Sequence, residues 1–193
     1  NDPTGKRRVV VNERQSGSIE EIPVSPDAYD WWWGSLDISG DGSYLLYHDG
    51  DSTSWNLKLK DRTSGKTQLI HAEDGLDYYP RGYGGAAISA DGRFIVFTDV
   101  VDAPPSSTPE GEFEWRLQLF DKETGQQRTL ASHLSSVNDC WWWGYGGVAI
   151  SQDGRYVAYH APELLPDSCS WELIRYDTTL ETKTTIDQGE GPA

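Results

Sequence analysis

Ile88-Ser89-Ala90-Asp91-Gly92-Arg93-Phe94-Ile95-Val96-Phe97 is the stretch that decides the fold. It sets two apolar runs on either side of a Ser-x-Asp-Gly turn, and the chain repeats that arrangement twice more. Leu36-Asp37-Ile38-Ser39-Gly40-Asp41-Gly42-Ser43-Tyr44-Leu45-Leu46-Tyr47 precedes it, and Val148-Ala149-Ile150-Ser151-Gln152-Asp153-Gly154-Arg155-Tyr156-Val157-Ala158-Tyr159 follows it. The Asp-Gly pair supplies the positive φ that a tight hairpin turn requires, and β-branched and aromatic flanks suit buried, pleated strands. Each unit reads as a hairpin of two strands, a and b.

A second hairpin follows each of the first. Residues Trp55 to Gly65, Trp115 to Gly125 and the more divergent Trp171 to Thr179 each read as strand c, a polar turn and the start of strand d. The c strands alternate apolar and polar residues while a and b are almost continuously apolar. That gradient is expected between the inner and outer edges of a radially placed sheet, with inner strands buried on both faces. A repeat of roughly 50–60 residues suits a four-stranded blade and is too long for leucine-rich or hexapeptide solenoids. The expected fold is all-β, a β-propeller of four-stranded antiparallel blades at 31–74, 81–134 and 141–188. A c–d hairpin at 7–24, with no a–b pair ahead of it, brings the count to about three and a half blades in one segment spanning 1–193.

The run at 88–97, with Asp61-Arg62-Thr63-Ser64-Gly65-Lys66-Thr67, resembles the TolB-type, WD40-like PD40 repeats. The resemblance covers nearly the whole chain and implies a β-propeller. About function it implies little, because that family includes periplasmic scaffold proteins, peptidase gating domains and other secreted proteins. The asp-box of sialidase propellers also places Ser, Asp and Gly in a hairpin, but there another residue separates Asp from Gly. Here the two are adjacent at 41–42, 91–92 and 153–154, which sets that family aside.

Propellers close with typically four to eight blades, so this segment alone leaves sheet faces open. Two outcomes are expected. Either the segment belongs to a longer chain whose next residues supply an a–b pair to the N-terminal hairpin, or copies assemble as a homo-oligomer that buries the open flanks. The start at Asn1 and the absence of Met fit a processed protein or an excised fragment.

Nine Trp and ten Tyr supply ample area for a core despite a hydrophobic content of 36%. The balance of 16 Lys plus Arg against 31 Asp plus Glu gives a formal charge of −15, which repels phosphate backbones and removes nucleic acid from the expected partners. No apolar run approaches the ~20 residues of a membrane span.

Aromatic residues gather just before each strand a, in the d-to-a connections. They are Trp31, Trp32 and Trp33, then Tyr78, Tyr79, Arg81 and Tyr83, then Trp141, Trp142, Trp143 and Tyr145. Equivalent connections of successive blades meet on one face of a propeller around its channel. Flat rings with polar tips suit sugar faces and the anchor positions of protein interfaces, and these residues are the candidate ligand-binding set. Plugging the narrow inner end of the blades is the structural alternative. The expected function is a secreted or periplasmic, non-catalytic binding module for a glycan or protein partner. The alternatives are a self-assembling structural subunit and the propeller part of a larger enzyme, a lyase or a peptidase.

No Ser/His/Asp set or Gly-x-Ser-x-Gly elbow is present, and His48 and His160 recur at equivalent ends of strand b, as structural residues do. No catalytic residue, metal ligand or cofactor is assigned. Acidic b-to-c loops, holding Asp49, Asp51, Asp99, Asp102, Glu110, Glu112, Glu163 and Asp167, leave calcium open, although their spacing does not match a twelve-residue calcium loop. Cys140, before the third strand a, and Cys169, in the following b-to-c connection, fall at the same end of one blade. A disulfide between them would close about 30 residues and imply an oxidising compartment.

Overall fold

The computed structural model describes residues 8–24, 36–50, 54–74, 85–102, 113–135, 147–165 and 168–190. They form fourteen β-strands. Sheet 1 is the antiparallel pair β1 (Arg8–Asn12) and β2 (Ile19–Pro23). Sheet 2 joins β3 (Leu36–Ile38), β4 (Tyr44–Gly50), β5 (Ser54–Asp61) and β6 (Thr67–Asp74) in chain order. Sheet 3 joins β7 (Ala86–Ile88), β8 (Phe94–Asp102), β9 (Phe113–Asp121) and β10 (Gln126–Ser135) in the same way. Sheet 4 repeats it with β11 (Val148–Ile150), β12 (Tyr156–Leu165), β13 (Ser168–Asp177) and β14 (Thr182–Glu190). Every pairing is antiparallel between sequence neighbours, as the two-hairpin reading expects.

The a–b turns are looser than a two-residue Asp-Gly turn. Five residues separate β3 from β4, and only the glycine has positive φ, +73° at Gly42, +72° at Gly92 and +72° at Gly154. Side chains close the loop. The Ser39 hydroxyl donates to Asp41 Oδ1 at 2.8 Å and accepts from the Tyr44 N–H at 2.9 Å, while Asp41 also accepts from the Ser43 N–H. Ser89 with Asp91 and Ser151 with Asp153 repeat these bonds. The Ser-x-Asp part of the motif is therefore as necessary to the turn as the Gly.

The sheets pack face to face in chain order. Ile22 of sheet 1 buries against Leu45 and Tyr47 of sheet 2. Leu46, Leu57 and Leu59 of sheet 2 meet Ala86, Ile88, Ile95 and Phe97 of sheet 3. Val96, Leu117 and Leu119 of sheet 3 meet Val157, Tyr159, Ile174 and Tyr176 of sheet 4. Alternate residues of strand b thus serve two different interfaces, which is why that strand opens with four apolar or aromatic residues in a row.

Strand b is buried on both faces in sheets 2 and 3, but strand a is fully buried only in sheet 3. Ala86 and Ile88 of β7 are 7% and 5% exposed, whereas Leu36 and Ile38 at the same positions of β3 are 55% and 41% exposed. Among the described residues sheet 1 consists of two strands, the outer pair of the four-stranded pattern.

The b and c strands run further than the sequence reading placed them. Asp49, Asp99, Asp102 and Glu163 belong to β4, β8 and β12 and not to loops, and Cys169 lies on β13 opposite Leu164. Cross-strand partners extend the ladder past the apolar cores, since Asp49 faces Asn56 and Asp99 faces Arg116. Asp51, Glu110, Glu112, Asp167 and Cys140 lie outside the described residues.

Candidate functional site

Each sheet has two ends. One carries the a–b and c–d turns, and the other carries the b-to-c connections and the chain segments that lead into the next inner strand. The turn end is bound up in its own structure. An open concavity of about 950 Å³ there is lined by Gly40, Asp41, Ala90, Asp91, Ser151, Gln152, Asp153 and Tyr156. Its carboxylates are occupied. Bonds from the Ser43 hydroxyl and N–H and from the Ser39 hydroxyl hold the Asp41 carboxyl down at about 2, and the Ser151 hydroxyl leads the lowering of Asp153.

Ion pairs then tie the two turns of one sheet together. Arg93 forks onto Asp121 at 3.0 and 2.7 Å, and Arg155 onto Asp177 at 3.2 and 2.9 Å. The Arg93 bond is the main reason the Asp121 carboxyl falls to about 2. Among the described residues no group of three His, Cys, Asp or Glu is placed to hold a metal ion.

At the opposite end begin β3, β7 and β11, the strands that follow the three aromatic stretches in the sequence. Trp31, Trp32, Trp33, Tyr78, Tyr79, Arg81, Tyr83, Trp141, Trp142, Trp143 and Tyr145 lie outside the described residues. The strands they lead into are described. β7 packs beside both β3 and β11. Gly40 N–H donates to Ala90 O at 2.9 Å, and the Asp37 carboxylate accepts from Ile88 N–H at 2.9 Å. A Cβ on Gly85 would stand 2.8 Å from Val148 Cγ2, so the beginnings of β7 and β11 touch.

Described side chains at this end are themselves rich in rings. Trp115 stacks on His133 across β9 and β10, with centroids 6.5 Å apart and planes 7° apart. His160 meets Trp171 edge-on at 5.3 Å, and His71 of sheet 2 lies 5.1 Å from Phe97 of sheet 3. Burial lowers His133 to about 4, so it stays neutral at ordinary pH.

Between these rings the middle sheet holds a polar group that sequence reasoning missed. Asp99, 1% exposed, accepts Arg116 Nη2 at 2.8 Å and Nε at 3.1 Å. The Gln118 amide donates to the same carboxylate at 3.3 Å, and Thr129 Oγ1 donates to Gln118 Oε1 at 3.1 Å. Asp49 of sheet 2 holds an equivalent place but pairs with Lys58. The available signal was the recurrence of Asp five residues after the first aromatic of strand b in two of the three repeats.

No family model matches the sequence, and a search of curated proteins finds no match. Solved structures do match. TolB from Acinetobacter baumannii is 14% identical, with a TM-score of 0.58 over 96% of this chain and 39% of that one. The β-propeller domain of the Trilobed protease from Pyrococcus furiosus is 10% identical, with a TM-score of 0.55 over 94% of this chain and 49% of that one. One structure from a study of two prolyl endopeptidases is 13% identical, with a TM-score of 0.60 over 95% of this chain and 26% of that one. The chain spans less than half the length of each. At these identities the likeness is one of fold, and the fold is that of the β-propeller proteins the Ser-x-Asp-Gly repeats resemble.

Proposed function

We propose that the chain is a β-propeller segment of three four-stranded blades and a c–d hairpin, acting in a secreted or periplasmic setting as a non-catalytic binding module. Its ligand surface is formed by the Trp and Tyr residues at 31–33, 78–83 and 141–145, and its partner is a glycan or an apolar anchor of another protein. The observation that carries this reading is the adjacency of β3, β7 and β11. Each aromatic stretch leads straight into one of these strands, so the three are delivered to neighbouring points of one end.

The opposite end supports the same choice, because its carboxylates are spent on turn bonds and ion pairs. Rings already dominate the aromatic end in Trp115, Trp171 and Phe97, and rings give binding surfaces large contact area at small entropic cost. A glycan array probed with the parent chain and with the Trp32→Ala and Trp142→Ala variants tests the reading. The expected result is binding to a defined set of sugars that falls at least tenfold in either variant. Absence of sugar binding, with oligomeric state unchanged in both variants, removes functional meaning from these rings.

A second reading, a subunit that closes its open propeller by self-assembly, draws on the exposure of Leu36 and Ile38. A monodisperse monomer at micromolar concentration counts against it. A third reading makes the chain the propeller part of a larger enzyme, as in the peptidases whose structures it resembles.

A further inference from the structure

The enclosed polar group of sheet 3 is not required by the architecture. Sheet 4 holds other residues at the same positions. Counted from the Ser-x-Asp-Gly turn, Asp99 corresponds to Ala161; counted back from Asp121 and Asp177, Arg116 corresponds to Glu172 and Gln118 to Ile174. The pairing agrees, since Asp99 faces Arg116 and Ala161 faces Glu172. Ala161 and Ile174 pack into the core between sheets 3 and 4. An apolar filling therefore serves this place in a blade, and exchanging an enclosed ion pair for apolar residues is often neutral or stabilising. Filling space does not account for Asp99 and Arg116.

The bonding of Arg116 is one-sided. Asp99, 1% exposed, accepts Nε at 3.1 Å and Nη2 at 2.8 Å, so one fork of the guanidinium is occupied and its plane is fixed. Gln118 donates to the same carboxylate at 3.3 Å and accepts in turn from Thr129. The Arg116 side chain stays 29% exposed. Among the described residues nothing bonds its Nη1. The second fork, Nη1 with the remaining Nη2 hydrogen, is a rigid pair of donors open to a ligand. It stands at the end where β7 begins. Thr98 N–H bonds to Gly85 O at 3.2 Å, and Asp99 with its partner Arg116 lies one step nearer that end. Gly85 is the first described residue after Tyr83.

We infer that Arg116 is a specificity residue of the binding end, donating through its second fork to the hydroxyl oxygens of a neutral sugar. Charge selects the neutral class. Asp99 already balances Arg116, so the pair offers directional donors without net attraction for an anion, and a chain of formal charge −15 repels carboxylated sugars. Donors held in place before binding lose little freedom on meeting the ligand. The inference rests on the glycan reading of the aromatic end and names the class of sugar.

The test measures binding of neutral hexose oligomers and of hexuronate oligomers of equal length to the full chain. The parent is expected to prefer the neutral oligomers by about tenfold or more. Asp99→Asn removes the balancing charge, and that preference is expected to shrink about tenfold or to reverse. A chain given the sheet 4 residues, Asp99→Ala with Arg116→Glu and Gln118→Ile, is expected to unfold in urea as cooperatively as the parent and to bind neutral oligomers about tenfold more weakly. Arg116→Lys, which keeps the charge and the Asp99 pair without the second fork, is expected to weaken neutral binding by a similar factor and decides the matter if the triple variant does not fold. A parent that prefers hexuronates, an unchanged ratio in Asp99→Asn, or undiminished neutral binding by Arg116→Lys or the folded triple variant overturns the proposal. If Trp32→Ala and Trp142→Ala abolish sugar binding while the Arg116 variants retain it, the specificity role alone fails. If no oligomer of either class binds the parent, the glycan reading fails and the inference with it.

Discussion

Sheets 2 and 3 are built from closely matched repeats, yet one has an open inner face and the other is enclosed. Both begin with a three-residue strand, turn through Ser-x-Asp-Gly and continue into an apolar strand b. Ala86 and Ile88 disappear into the interface with sheet 2, while Leu36 and Ile38 face outward, beside a sheet 1 that has two strands among the described residues. The difference teaches that burial in this architecture is set by position in the stack and not by local sequence. A repeat acquires its core from its neighbours.

Polar groups should amplify the contrast most. Asp99 of sheet 3 is enclosed, and replacing it with Ala leaves Arg116 and Gln118 facing an apolar interface without their acceptor, an expected loss of about 3–4 kcal/mol. Asp49→Ala in sheet 2, where the Lys58 pair is more open to water, should cost about 1 kcal/mol or less. Urea denaturation of both variants measures the gap, and equal losses would break the comparison.

Apolar truncation sharpens it next. Ile88→Ala removes a side chain packed between two sheets and should cost about 3 kcal/mol, while Ile38→Ala should cost about 1 kcal/mol. The same denaturation experiment decides.

The pH response follows in size. His133 has its pKa held near 4 by burial against an ordinary 6.5, so the unfolded chain takes up a proton first as pH falls. Stability present above about 6.5 is then lost progressively down to about 4, on the order of 2 kcal/mol after allowing for partial exposure. The turn carboxylates act in a lower window. Asp41 and Asp121, both near 2 against 3.8, contribute stability that disappears only as pH falls from about 3.8 towards 2. A His133→Phe variant should flatten the upper limb of the stability profile and leave the lower one in place.

The smallest effect lies in sheet 4. Glu181 has φ +55° where Gly65 and Gly125 occupy the equivalent turns at +73° and +70°. Glu181→Gly should stabilise by up to about 1 kcal/mol, the relief of a left-handed backbone less the exposed Arg128 ion pair. A rise in thermal midpoint of a few degrees is the readout.

Much of the fold was legible because Ser-x-Asp-Gly marks one turn per repeat and Trp-x-Leu recurs in strand c of the three full repeats. What was not legible depends on partners distant in the chain. Asp99 meets Arg116 seventeen residues further along the chain, so a residue resembling a loop acid proved to be 1% exposed in the middle sheet. The exposure of Leu36 was hidden for the same reason, since Leu36 and Ile38 are as apolar as the enclosed Ala86 and Ile88. For the candidate site, the sequence located the aromatic stretches, and the structure adds the adjacency of the strands they lead into.

Amide hydrogen exchange of the chain alone, at low micromolar concentration, compares β3 with β7 most directly. The account expects Ala86 to Ile88 to exchange at least a hundredfold more slowly than Leu36 to Ile38. Equal protection of the two inner strands would contradict it, because an enclosed β3 would mean that sheet 2 has no open face.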